Sequence, residues 1–95
     1  MYIFATYTVI RGDSESDRFL NLKVKRDLSE LEYIKHFSNH YYDTTELEFN
    51  EDDYWLDYET IIRLYKTEVI PEETFLLLKK LGLPTKDRTK WNISY

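Results

Sequence analysis

The sequence predicts one α+β domain: a small antiparallel β-sheet, made of an N-terminal hairpin and a short third strand, packed with two or three α-helices in the order β-β-α-β-α-α. Three observations carry this. The chain opens on an alternating run of β-branched and aromatic residues, a capping box stands at residues 29–32, and apolar residues recur at helical spacing across the second half. Ninety-five residues make a single domain, and only two Gly and two Pro leave most of the chain for regular elements.

Tyr2 to Arg11 alternates Ile3, Ala5, Tyr7 and Val9 with Tyr2, Phe4, Thr6, Thr8 and Ile10, the pattern of a strand. Gly12 to Asp17 is polar and turn-forming, and Leu20, Leu22 and Val24 then alternate with Asn21, Lys23 and Lys25 as a second strand with one wet face. Ser29-Glu30-Leu31-Glu32 is a capping box: the Ser29 hydroxyl accepts from the Glu32 amide, and the Glu32 carboxylate accepts from the Ser29 amide. Leu28 and Tyr33 are spaced as a hydrophobic staple. Leu31, Ile34, Phe37 and Tyr41 continue the period, so a helix is predicted over Glu30–Tyr41.

Thr45, Leu47 and Phe49 alternate with Glu46 and Glu48 as a short third strand. From Glu51 to Glu68 a helix is predicted. Its first turn is acidic, its end carries Arg63 and Lys66, and Tyr54, Trp55, Tyr58, Ile61, Ile62, Tyr65 and Val69 fit one face. A strand over Thr60–Thr67 is the rival, because Ile62 and Leu64 also alternate with Ile61, Arg63 and Tyr65. Pro71 with Glu72 and Glu73 starts another helix, striped by Phe75, Leu76, Leu78 and Leu81 and stopped by Gly82 and Pro84. Residues 84–95 form a basic C-terminal tail in which Trp91, Ile93 and Tyr95 alternate, as in a last strand or a docked tail.

Composition narrows the function. No cysteine means no disulfide framework and no thiolate zinc site, and it fits a reducing compartment. No apolar run approaches the roughly 20 residues a membrane span needs, and the apolar start lacks a basic leader and a cleavage site. The expectation is a cytoplasmic protein without membrane contact. The formal net charge is −5, unevenly spread. His36 to Ile62 contains eight acids and no Lys or Arg, while Lys79, Lys80, Lys86, Arg88 and Lys90 gather near the end.

His36, His40 and Asp43 have a spacing that could face one way, but two solvent-side histidines flanking an apolar stripe explain it as well; no metal site and no cofactor are expected. Glu51, Asp52, Asp53 and Asp57 lie in an unbroken polar run with no sign of the desolvated cleft that acid–base chemistry needs. There is no nucleophile motif and no phosphate-cradling loop, so an enzyme is the least supported class. The aromatic share, 17%, is larger than one small core can cover and suits a protein-binding surface. On the predicted helix Leu56 falls on the outer face among charges, a candidate partner contact.

In kind, the acidic, tyrosine-rich block Asp43 to Glu59, and Glu51-Asp52-Asp53-Tyr54-Trp55 above all, resembles the small acidic proteins that bacteriophages and mobile elements encode against host defences, anti-CRISPR proteins and other DNA mimics among them. The resemblance implies a non-enzymatic inhibitor, working in the host cytoplasm, that blocks the nucleic-acid-binding site of a host protein. Asp43, Glu46, Glu48, Asp52, Asp53, Asp57 and Glu59 would imitate phosphates, and Tyr54, Trp55 and Leu56 would be anchors. The partner is then a protein with a basic nucleic-acid-binding surface, and the acidic face itself repels nucleic acid. Leu64 to Thr74 is separately similar to an αα-hairpin connection. Two other classes stay open. One is a structural or assembly subunit, for which a homodimer is allowed; the other is a nucleic-acid-binding accessory protein using Lys86, Arg88, Lys90 and Trp91.

Overall fold

The structure, a computed structural model, describes residues 1–89. In chain order these form β1 (Tyr2–Arg11), β2 (Ser14–Lys23), α1 (Glu30–Tyr42), β3 (Glu48–Asn50), β4 (Asp53–Asp57), β5 (Thr60–Ile70), α2 (Glu72–Lys80) and β6 (Thr85–Asp87). The strands make one sheet in the order β3-β4-β5-β1-β2-β6. The fold is therefore α+β as expected, with a mixed sheet: β6 runs parallel to β2, and the other neighbours are antiparallel.

β1 is the central strand. Its odd residues Ile3, Ala5, Tyr7 and Val9 are buried together with Leu20, Leu22 and Val24 from the hairpin partner and Ile62 from β5. α1 lies over this face. Its Phe37 stacks on Tyr7 at 4.2 Å between ring centroids, and the Tyr7 hydroxyl donates to the Tyr33 carbonyl at 3.0 Å. That bond satisfies the one polar group that Tyr7 brings into the core. α1 starts as its sequence predicts: the Ser29 hydroxyl accepts from the Glu32 amide, and the Glu32 carboxylate accepts from the Ser29 amide, both at 3.2 Å. The helix ends one residue later than expected, on Asp43 in the left-handed conformation.

Among the described residues, the opposite face is covered only at its Tyr2 end. There α2 sets Phe75 against Tyr2, with ring centroids 4.8 Å apart, and the Asn21 side-chain amide donates to the Phe75 carbonyl. Phe75 is the buried residue of the expected stripe; Leu76 and Leu81 stand exposed.

Four sequence expectations are corrected. The polar segment Gly12–Asp17 is not all turn: Gly12 and Asp13 make the turn, with Gly12 at φ +58°, and Ser14 to Arg18 continue β2 as an exposed ladder. The third strand shifts from Thr45–Phe49 to Glu48–Asn50. The predicted helix Glu51–Glu68 is instead two strands, β4 and most of β5, so the rival strand reading prevails. Its β-branched residues Thr60, Ile61, Ile62 and Thr67 gain a ladder of ten register positions with β1, which outweighs the local helical signals. In consequence Leu64–Thr74 is a strand-to-helix junction and not an αα-hairpin. Of the tail, Thr85–Asp87 does dock as a strand, while Lys90, Trp91, Ile93 and Tyr95 lie outside the described residues.

Candidate functional site

The acidic block lies at one margin of the sheet, on β3, β4 and the connections around them. Glu51 and Asp52 form the tight turn between β3 and β4, at φ 54° and 65°. Two consecutive left-handed residues match the right-handed twist of a two-residue hairpin, and neither is glycine. Asn50 pairs with Asp53, Phe49 with Tyr54 and Glu48 with Trp55. Asp43 and Glu46 lie in the connection from α1 to β3, and both are exposed.

Register assigns faces. Trp55 pairs with Ile61, and Ile61 with Ile10, so Trp55 and its neighbour Glu48 belong to the uncovered face. Asp53 joins them there, accepting two hydrogen bonds from Arg63 at 2.7 and 3.0 Å. The register then shifts between Trp55 and Asp57, leaving Leu56 as the extra residue of a bulge. Past the bulge Asp57 sits opposite buried Thr60. Glu59 pairs with Arg11 at 3.1 Å nearby. The expected phosphate-imitating set is therefore divided. Glu48 and Asp53 share the open face, Asp52 is at the hairpin tip, Asp43 and Glu46 are on the approach, and Asp57 and Glu59 are grouped around Arg11 at the far end.

Charge pairing divides it further. The Arg63 guanidinium, hydrogen-bonded to Asp53, holds that carboxyl below the ordinary carboxylate range. Asp57 is lowered mainly because it accepts the Glu59 amide at 2.9 Å, so it works as a turn cap. Asp43, Glu46, Glu48, Glu51 and Asp52 make no salt bridge among the described residues.

The anchors also differ from expectation. Leu56 is not an outward helical residue; it packs with Tyr54 against the core. Trp55 keeps its place on the open face, half-buried, with its indole N–H donating to the Asn50 carbonyl at 2.9 Å. The exposed aromatics of the block are Phe49, 61% exposed on β3, and Tyr58, 91% exposed in the β4–β5 turn. Sequence reasoning placed Tyr58 on a buried helical face and gave Phe49 no surface role. No sequence signal marks Phe49, because its alternation with Glu48 reads as the covered side of a strand; its exposure follows from β3 being three residues long at the sheet edge. A cleft of about 220 Å³ opens beside the hairpin, between Glu30 and Ile34 of α1 and Asp52, Asp53, Tyr54 and Arg63.

The basic end of the chain is used structurally where it is described. The Arg88 amide donates to the Lys23 carbonyl at 2.7 Å, and its guanidinium to the Asn39 side chain at 3.4 Å. His36 and His40 are not solvent-side: His36 is buried and His40 half-buried. Burial, with Arg88 adding, pushes His36 down to about 4, and burial together with Lys86 and Arg88 lowers His40. Cationic Lys86 and Arg88 stand near this spot, and Asp43 is the exposed C-cap of α1. Among the described residues no group of three His, Cys, Asp or Glu is arranged to hold a metal, and no helix is long and apolar enough to cross a membrane. No protein-family model matches the chain, and no curated protein or solved structure matches it either.

Proposed function

We propose that the protein is a non-enzymatic binding protein, and that its acidic β3–β4 hairpin docks on the basic nucleic-acid-binding surface of another protein and blocks it, as anti-CRISPR-like inhibitors do. The observation that carries this reading is the run of five carboxylates without an internal cation, Asp43, Glu46, Glu48, Glu51 and Asp52, at the margin of the sheet where the ring of Phe49 is also exposed. Unneutralised charge at a margin steers a cationic partner, and an aromatic side chain within it supplies the desolvated anchor. The working residues are then fewer than the sequence suggests. Asp53, Asp57 and Glu59 hold the hairpin and its turns, and Tyr54 and Leu56 hold the core.

The test is affinity capture from a bacterial lysate with the native protein and with a Glu48/Glu51/Asp52→Lys variant, followed by elution with nucleic acid and with rising salt. The expected result is a nucleic-acid-processing protein held by the native form, lost with the variant, and released by both eluants. Equal capture by both forms would overturn the reading. Phe49→Ala should weaken the same complex by about 1–3 kcal/mol, with circular dichroism checking that losing its ring contact with Tyr54 leaves the fold intact.

A further inference from the structure

β4 pairs with β5 only from Thr60 to Ile62. Beyond it the outer edge of β5 has no strand partner among the described residues, and Arg63, Tyr65, Lys66, Thr67, Glu68 and Val69 are all exposed. Such an edge offers a row of free backbone donors and acceptors to another chain. A lone lysine on an edge strand ordinarily discourages pairing. Lys66 here is followed two residues later by Glu68, and the two already form an ion pair at 2.6 Å. We infer that this edge is a self-association site, where β5 pairs antiparallel with β5 of a second copy about a two-fold axis at Thr67.

Geometry and charge select that register. A two-fold axis joining two edges antiparallel stands perpendicular to the sheet and keeps each face on its own side, so the axis passes through a residue. The open segment runs from the bulge at Tyr65 to Val69, before Pro71, and Thr67 is its midpoint. With Thr67 on the axis, Lys66 faces the second copy's Glu68, and Glu68 faces its Lys66. Tyr65 and Val69, 74% and 70% exposed, also face each other. Both are favourable cross-strand pairs, each occurring twice. An axis at Lys66 or at Glu68 would instead set two like charges opposite each other, which is unfavourable. Five paired residues make a small contact, so the dimer is weak and concentration-dependent.

The test is sedimentation velocity of the full chain over micromolar to millimolar concentration, with circular dichroism as the control for folding. The native chain should self-associate. Lys66→Glu and Glu68→Lys should each weaken dimerisation by about tenfold, because each converts two attractive cross-strand pairs into two repulsive ones. The double reversal Lys66→Glu/Glu68→Lys should restore it, since the edge is again complementary to itself. A native chain that stays monomeric throughout overturns the inference, as does a double reversal that fails to recover. A dimer indifferent to all three variants also overturns it and moves the contact elsewhere, such as the exposed Leu76, Leu77 and Leu81 of α2.

Discussion

His36 makes the fold sensitive to mild acid. Burial favours the neutral imidazole and pushes its pKa down to about 4, with Arg88 contributing. The unfolded chain takes up a proton near pH 6.5 and the folded chain does not. Stability from this group is therefore complete above about pH 6.5 and falls as the pH drops toward 4, by at most about 1.4 kcal/mol per pH unit. His40 shifts in the same direction. Arginine-paired Glu32 and Asp53 titrate below the ordinary carboxylate range, so the loss between pH 6.5 and 5 belongs to the histidines. Urea midpoints should fall over that interval, and His36→Gln should flatten the fall. The sequence reading put both histidines at the surface because four-residue spacing says only that they share a side. What reaches that side is the segment around Arg88, whose guanidinium donates to the Asn39 side chain, and such a contact is absent from any local pattern.

At the scale of elements, the β3–β4 hairpin carries its tension in its turn. Glu51 and Asp52 both adopt left-handed φ, where side-chain-bearing residues are disfavoured and an Asn-Gly pair fits. Glu51→Asn/Asp52→Gly should raise stability by about 1 kcal/mol in denaturant unfolding, and it should weaken the proposed complex because two free carboxylates are lost. A variant that binds as well as the native chain would remove the turn from the interface. Residues that are neighbours in sequence were legible: the capping box at Ser29 and Glu32 formed as read, because both partners lie within one turn. The helix expected over Glu51–Glu68 was not legible as strands, and two bulges explain why. The extra residues Leu56 and Tyr65 each advance the alternation by one, and an alternation interrupted in this way imitates a helical period. The charges mislead likewise: Arg63, placed by the sequence at the end of a helix, pairs with Asp53 across the ladder, and Glu59 pairs with Arg11 from another strand.

For the whole molecule, one side chain stands for the core. Phe37 is fully buried and stacks on Tyr7, with Tyr41 and Tyr42 against its other sides. Phe37→Ala should cost about 3–5 kcal/mol in equilibrium unfolding, a large share of the roughly 5–15 kcal/mol available to a domain of this kind. The fold class was readable because burial periodicity in β1 and α1 is local. The acidic surface was readable only as a composition. Which carboxylates stay free depends on Arg11 and Arg63, whose partners are set by pairing between distant strands. That same pairing has a kinetic consequence. β1 meets β2 across a two-residue turn, but it meets β5 through residues about 50 to 70 positions away, and that loop must close before its contacts repay it. The hairpin and α1 can form early, and β5 docks last on a β1 that waits with one side bare. Until it does, the nascent chain presents a second, more apolar edge, so crowding during synthesis threatens this protein through β1 before β5 has arrived to close it.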